Sequence, residues 1–138
     1  MSIEKQYKIL EFNDLGDERG NLVVLEGNGE CVPFDIKRVF YIYGSDSKVI
    51  RGKHANKKTE FVLINVSGTS KIKVDDGSET VIIELNKPRK GVYLPSMLWK
   101  EMYEFSSDSV LLVLASEHYD PNEYVRDYND FKKMIDNF

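Results

Sequence analysis

The chain has 138 residues, 41% hydrophobic, 12% aromatic and 30% charged, which is the material of one ordinary globular domain over 1–138 rather than of two domains or a disordered segment. No apolar run approaches the roughly 20 residues that span a bilayer, and the opening MSIEKQYKIL is too charged for a signal peptide, so a cytoplasmic protein with no membrane partner is expected. A net charge of −4 argues against a nucleic-acid partner, and a lone cysteine with two histidines leaves almost no basis for a disulfide or a structural zinc site.

Asn21–Glu26, Arg38–Tyr43, Glu60–Val66, Thr69–Val74, Glu79–Leu85, Gly91–Leu94 and Val110–Ala115 are short runs rich in β-branched and aromatic residues, and they predict strands of a sandwich or small barrel. Ser67-Gly68 and Asp75–Ser78 read as hairpin turns, where glycine accepts the positive φ that tight turns demand. In Thr69–Val74 the lysines Lys71 and Lys73 alternate with Ser70, Ile72 and Val74, which predicts one wet face. Asp120-Pro121-Asn122-Glu123 has the form of a helix start with a capping box. Tyr124, Tyr128, Phe131 and Met134–Ile135 then recur at helical spacing, predicting a C-terminal amphipathic helix over about 121–137 that packs on a barrel of about 10–117.

The densest polar cluster is Arg51-Gly52-Lys53-His54-Ala55-Asn56-Lys57-Lys58-Thr59-Glu60. A solvated lysine-rich loop is one reading of it. The other is that His54, Glu60 and the later Gly68 have the outline of the first cupin motif, and Gly91–Lys100, a glycine, strand and proline turn, that of the second. Where metal cupins carry further histidines, this chain has Asn56 and Lys100, and an ammonium at that place repels a cation. No metal and no cofactor are therefore expected, and the cup suits an anionic organic ligand.

At closer range the chain from about Leu10 to Phe131 resembles the cupin sugar 3,4-ketoisomerases that act on dTDP-4-keto-6-deoxyglucose. The matching segments include Glu18–Val23, Pro33–Ile42, Arg51–Ala55, Val74–Gly77, Trp99–Met102, Phe105–Asp108 and Val113–Ser116. The resemblance implies an all-β cupin (jelly-roll) barrel, a homodimer, and isomerisation of a thymidine-diphosphate keto sugar in the synthesis of 3-amino-3,6-dideoxy sugars for surface glycans such as lipopolysaccharide O-antigen. Two other readings stand beside it: a non-catalytic dTDP-sugar-binding cupin, and a 3,5-epimerase-like enzyme.

Moving a carbonyl from C4 to C3 requires a base near neutrality, which points to His54. Asn56, where relatives have a second imidazole, can donate or accept a hydrogen bond but cannot take up a proton. Lys100 can stabilise the enediolate by its charge, or act as acid or base if neighbouring cations lower its pKa. Arg19, Arg38 and Arg51 are candidates for the diphosphate and sugar oxygens, with a turn-fixing contact as the alternative for Arg19 and an edge salt bridge for Arg38. Tyr41 is placed in the cavity and Glu60 against the second ring nitrogen of His54; for Tyr41 a core position, and for Glu60 a solvent-facing one, is the alternative. The Arg19 segment favours the galacto over the gluco product. His118, Cys31 and Trp99 are read as structural.

Overall fold

The computed structural model describes residues 2–137, so Met1 and Phe138, the ends of the expected unit, lie outside the described residues. Two antiparallel sheets face each other. Across the first run β1 (Lys8–Glu11), β7 (Lys90–Leu94), β4 (Phe61–Ser67), β9 (Val110–Ala115) and β2 (Arg38–Tyr43); across the second run β10 (Tyr124–Val125), β3 (Arg51–Asn56), β8 (Trp99–Tyr103), β5 (Ser70–Asp75) and β6 (Thr80–Leu85). Helix α1 (Tyr128–Asp136) closes the chain. This is the expected all-β cupin barrel with a C-terminal helix.

Between the sheets, Phe61 and Leu63 of β4 meet Ile72 and Val74 of β5 and Leu111 and Val113 of β9. Each fully buried aliphatic of this kind contributes about 1.5–3 kcal/mol. The opposite parity of β4, Val62 and Ile64, packs outward against Leu10, Phe12, Val32 and Phe34. Burial on both faces explains why β4 reads as a continuous apolar run rather than an alternating one.

Several expectations are corrected. Asn21–Glu26 pairs in no ladder: it alternates as a strand would, Val23 and Leu25 packing inward while Leu22 and Val24 are exposed, but β1 already occupies the edge beside β7. Ser67-Gly68 is a corner and not a hairpin, because β4 and β5 belong to different sheets. Gly68 takes φ 64°, and a Cβ there would sit 2.3 Å from Ser106 Oγ. The Asp75–Ser78 turn does join a hairpin, β5 to β6, with Lys71 and Lys73 half-exposed as predicted. Four further strands are unpredicted: β1, β3 and β8 carry too many polar residues to be seen as apolar runs, and the two residues of β10 fall within the expected helix.

The predicted helix start is displaced. Asp120 caps only a short 3-10 turn, Pro121–Glu123; the chain then forms β10 against β3, and α1 begins at Asp127, whose side chain accepts from Asp130 N. The helix still packs as its stripe predicts. Phe131 is fully buried against Trp99 and Val125, and Tyr128 Oη donates to Asp75 Oδ2 at 2.9 Å. Phe131→Ala is expected to lower stability by about 3–5 kcal/mol in urea unfolding; a loss below about 1 kcal/mol would mean that the helix contributes little to holding the barrel closed.

Candidate active site

The site begins with a β-bulge. Strands β3 and β8 pair Gly52 with Glu101 and then His54 with Lys100, so Lys53 is the extra residue. Gly52 and Lys53 take φ 85° and 57°, and a Cβ on Gly52 would lie 2.9 Å from Lys100 O. Bulges of this kind re-aim side chains beside active sites. Here the bulge sets the imidazole of His54 directly across from the ammonium stem of Lys100.

These two residues face a cavity of about 550 Å³ lined also by Arg38 and Phe40 of β2, Arg51, Phe61, Met102, Tyr119 and Tyr124. The volume suits a small organic ligand. Among the described residues, the buried side-chain polar atoms without a hydrogen-bond partner are Arg38 Nε, Arg38 Nη2 and His54 Nδ1. All three belong to cavity residues. Buried polar groups are normally satisfied, so these residues carry unspent hydrogen-bonding capacity at the cavity. Arg38 donates from Nη1 to Tyr124 Oη at 3.3 Å and lies against the rings of Phe40 and Tyr119, with centroids 5.5 and 5.7 Å away. Its charge has no carboxylate partner in the salt bridges of the described residues, unlike the edge salt bridge considered above.

Burial is the main force on His54, aided by the charges of Lys100 and Arg126; against the smaller pull of Asn56 and Glu123 they lower its pKa to about 3. The ring is therefore neutral at pH 7, edge-on to Tyr124 with centroids 4.9 Å apart. Lys100 is 3% exposed. Burial lowers its pKa to about 7, with the Glu123 carboxylate acting in the opposite direction; desolvation, rather than the neighbouring cations expected from the sequence, is the dominant cause. Its Nζ lies over the Phe61 ring, 4.6 Å from the centroid, and donates to Asn56 Oδ1 at 3.4 Å.

The other candidates divide. Arg51 stands at the cavity mouth, its Nε 3.4 Å from Ser45 Oγ. Asn56 is fully buried behind Lys100 and donates from Nδ2 to Glu123 Oε1 at 2.8 Å. Tyr41 reaches only the rim: Arg38, Phe40 and Ile42 are the half-buried parity of β2, while Tyr41 is 61% exposed and stacks on Tyr43. Glu60 is not beside His54. Its Oε1 accepts from Tyr93 Oη at 2.5 Å, because residues of its parity in β4 point to the outer face. Arg19 is absent from its own chain's cavity and forms an exposed pair with Asp17 at 2.7 Å, the turn-fixing contact.

Three residues went unrecognised in the sequence. Tyr119 and Tyr124 line the cavity, although Tyr124 reads as part of a helical stripe. Glu123, read as a capping glutamate, is the carboxylate that reaches the back of the site. It accepts from Asn56 Nδ2, Lys58 N, Thr59 N and the Thr59 hydroxyl. Burial pushes its carboxyl up, but these donors outweigh burial and hold it below the usual carboxylate range.

Fold and site together define a cupin-type isomerase with an ammonium and an imidazole at the heart of the cup. Residues 5–136 match the family model described as FdtA: WxcM-like, C-terminal, and the chain belongs to that family. It is 44% identical over 128 residues, covering 93% of this chain and 91% of the relative, to a TDP-4-oxo-6-deoxy-alpha-D-glucose-3,4-oxoisomerase of Aneurinibacillus thermoaerophilus. The crystal structure of QdtA, a sugar 3,4-ketoisomerase from Thermoanaerobacterium thermosaccharolyticum in complex with TDP, superposes with a TM-score of 0.93 at 40% identity, covering 98% of both chains. A 3,4-ketoisomerase from Helicobacter canadensis does so with a TM-score of 0.91 at 44% identity, covering 94% of this chain and 97% of the other.

The buried ammonium has a consequence for stability. Lys100 titrates at about 7 in the folded chain against 10.5 when unperturbed, so between these values the unfolded chain holds more protons and stability rises with pH. The melting temperature of the protein is expected to rise from pH 7 to about 9 through this group. Lys100→Met should raise the melting temperature at pH 7 and flatten the rise; a slope identical to the parent's would contradict burial of the charge.

Proposed function

We propose that this protein is a 3,4-ketoisomerase of dTDP-4-keto-6-deoxyglucose, forming a dTDP-3-keto-6-deoxyhexose by proton transfer through an enediolate. The observation that carries the reading is the convergence of unpartnered polar atoms of Arg38 and His54, together with the Lys100 ammonium, on one cavity of small-molecule size. The relatives that share the fold act on, or bind, TDP and TDP-sugars by their names.

In this mechanism Arg38 and Arg51 hold the diphosphate, whose oxygens match the planar fork of arginine. Neutral His54 takes the proton from C3, and the electron pair of that C–H bond becomes the C3–C4 double bond of the enediolate. The 4-oxygen gains a proton as the 3-hydroxyl loses its own, and the proton held by His54 returns at C4. A ring with a pKa of about 3 is a weak base in the free protein. A bound diphosphate brings negative charge that opposes the part of this depression due to Lys100 and Arg126, the smaller part beside burial. Lys100, in its charged form, stands on the developing oxyanion, and such preorganised charge is often the largest catalytic effect.

The galacto product is the favoured outcome, on the place of Arg19 in a family-matching segment. Because Arg19 lies outside its own chain's cavity, it would act there only from a second subunit, in keeping with a homodimer. Support for that assembly comes from the edge strand β2, where Val39, Tyr41 and Tyr43 are 54%, 61% and 71% exposed, an apolar edge of the kind that pairs with a copy of itself. The protein acts in the cytoplasm, in this reading, in making 3-amino-3,6-dideoxy sugars for surface glycans.

Incubated in deuterium oxide with dTDP-4-keto-6-deoxyglucose, the protein is expected to introduce deuterium at C3 of recovered substrate or C4 of product, read by NMR. No exchange and no 3-keto product, with dTDP still raising the melting temperature, would instead establish a non-catalytic binder. His54→Asn is expected to lower turnover at least about 100-fold while leaving dTDP affinity within about threefold; unchanged turnover would remove His54 from the chemistry.

A further inference from the structure

Glu123 lies outside the cavity lining, yet four hydrogen bonds converge on its carboxylate. The amides of Lys58 and Thr59 and the Thr59 hydroxyl leave one direction of approach, and Asn56 Nδ2 occupies it at 2.8 Å. A carboxylate can only accept, so the Asn56 amide must turn its NH2 to Glu123 and its oxygen the other way. That oxygen receives Lys100 Nζ at 3.4 Å. The amide orientation is thus decided by Glu123, and the ammonium finds its acceptor through it.

We propose that Glu123 is a positioning residue of the active site: through Asn56 it fixes the place of Lys100 Nζ and supports its positive charge without touching it. The neutral amide between the two charges is what distinguishes this arrangement from an ion pair. A carboxylate in direct contact would hold a lysine firmly charged at all working pH values, whereas one kept at the distance of an intervening amide offsets only part of the cost of burial. Lys100 is left able to change its charge near neutrality, in accord with its pKa of about 7. Asn56, in place of an imidazole, is then a connector with a defined polarity.

The groups that face the ammonium are few. Strand β3 brings His54 and Arg51 to the same cavity wall, β2 brings Arg38, and the segment around β10 brings Glu123 and the Tyr124 hydroxyl, with Arg126 acting on His54; of these charges it is Glu123 that bears on Lys100 itself. Tyr119 adds a hydroxyl at the cavity wall, while β4 offers the Phe61 ring and the β5 neighbour is Val74. Glu123 is the only carboxylate in this set, so its charge has no substitute.

The inference rests on the ketoisomerase reading for its catalytic meaning, but its electrostatic part can be measured without turnover. In protein labelled with 15N-lysine, the Nζ signal of Lys100, assigned by its loss in Lys100→Met, is titrated in the parent, Glu123→Gln, Asn56→Leu and Thr59→Val, alongside the pH profile of kcat/KM. Glu123→Gln is expected to move the Lys100 titration, and the alkaline limb of the profile, downward by about one pH unit. Asn56→Leu cuts the link while leaving the carboxylate its other donors, and is expected to shift the titration in the same direction; it carries the test if Glu123→Gln does not fold. Thr59→Val removes a hydrogen bond to the same carboxylate without altering charge, and should lower the melting temperature with the titration unmoved. An unmoved titration in folded Glu123→Gln or Asn56→Leu overturns the proposal, as does a shift in Thr59→Val equal to that of Glu123→Gln. A shifted titration in a protein that turns over no substrate leaves the positioning intact and overturns the ketoisomerase reading instead.

Discussion

A lysine ammonium enclosed by a β-barrel is the constraint on which this structure turns. Taking such a charge out of water costs several kcal/mol unless neighbours compensate, and in Lys100 the compensation comes from three sides: the ring face of Phe61, the oxygen of Asn56, and behind it the carboxylate of Glu123. The same charge, after burial, is what depresses the basicity of His54. The charge of Lys100 thus bears on His54, while burial and the Glu123 carboxylate are what act on Lys100 itself.

That constraint also shapes the chain well away from the cavity. For Glu123 to reach Asn56 and the amides of Lys58 and Thr59, it must leave the helix that its capping box would open. The segment after Asp120 instead makes a single 3-10 turn, adds the two residues of β10 to the sheet edge beside β3, and only then starts α1. The detour has a second result, since Tyr124 in β10 is turned into the cavity against His54 and Arg38. A capping preference of about 1 kcal/mol gives way to four hydrogen bonds on a buried carboxylate.

The cup itself is built from a strand that carries almost no hydrophobic signal. In Arg51–Asn56 only Ala55 and Asn56 are buried, and the strand is held by its pairing with β8 and by the bulge at Gly52 and Lys53 rather than by an apolar face. Sites of ligand binding are where local sequence rules are expected to fail. The failure here is instructive, because the polarity that makes β3 unlike a strand is the polarity that makes it a binding wall.

What the sequence by itself determined was the class of the fold and the place of the chemistry. The β-branched runs, the barrel followed by a helix, and the cluster that holds Arg51 and His54 are all local patterns, and the order of the matching segments carried the family. Only the tertiary structure decided which carboxylate serves the site. A linear reading points to Glu60 beside His54 and takes Glu123 for a helix cap; strand parity turns the first outward to Tyr93, and a contact across 67 positions brings the second to Asn56. It likewise put Phe40 inside with Tyr41 at the cavity rim, and left Arg19 with Asp17 in an exposed loop. Pairing register and side-chain parity are set by partners distant in sequence, and a charge's partner is chosen by that geometry rather than by neighbours along the chain.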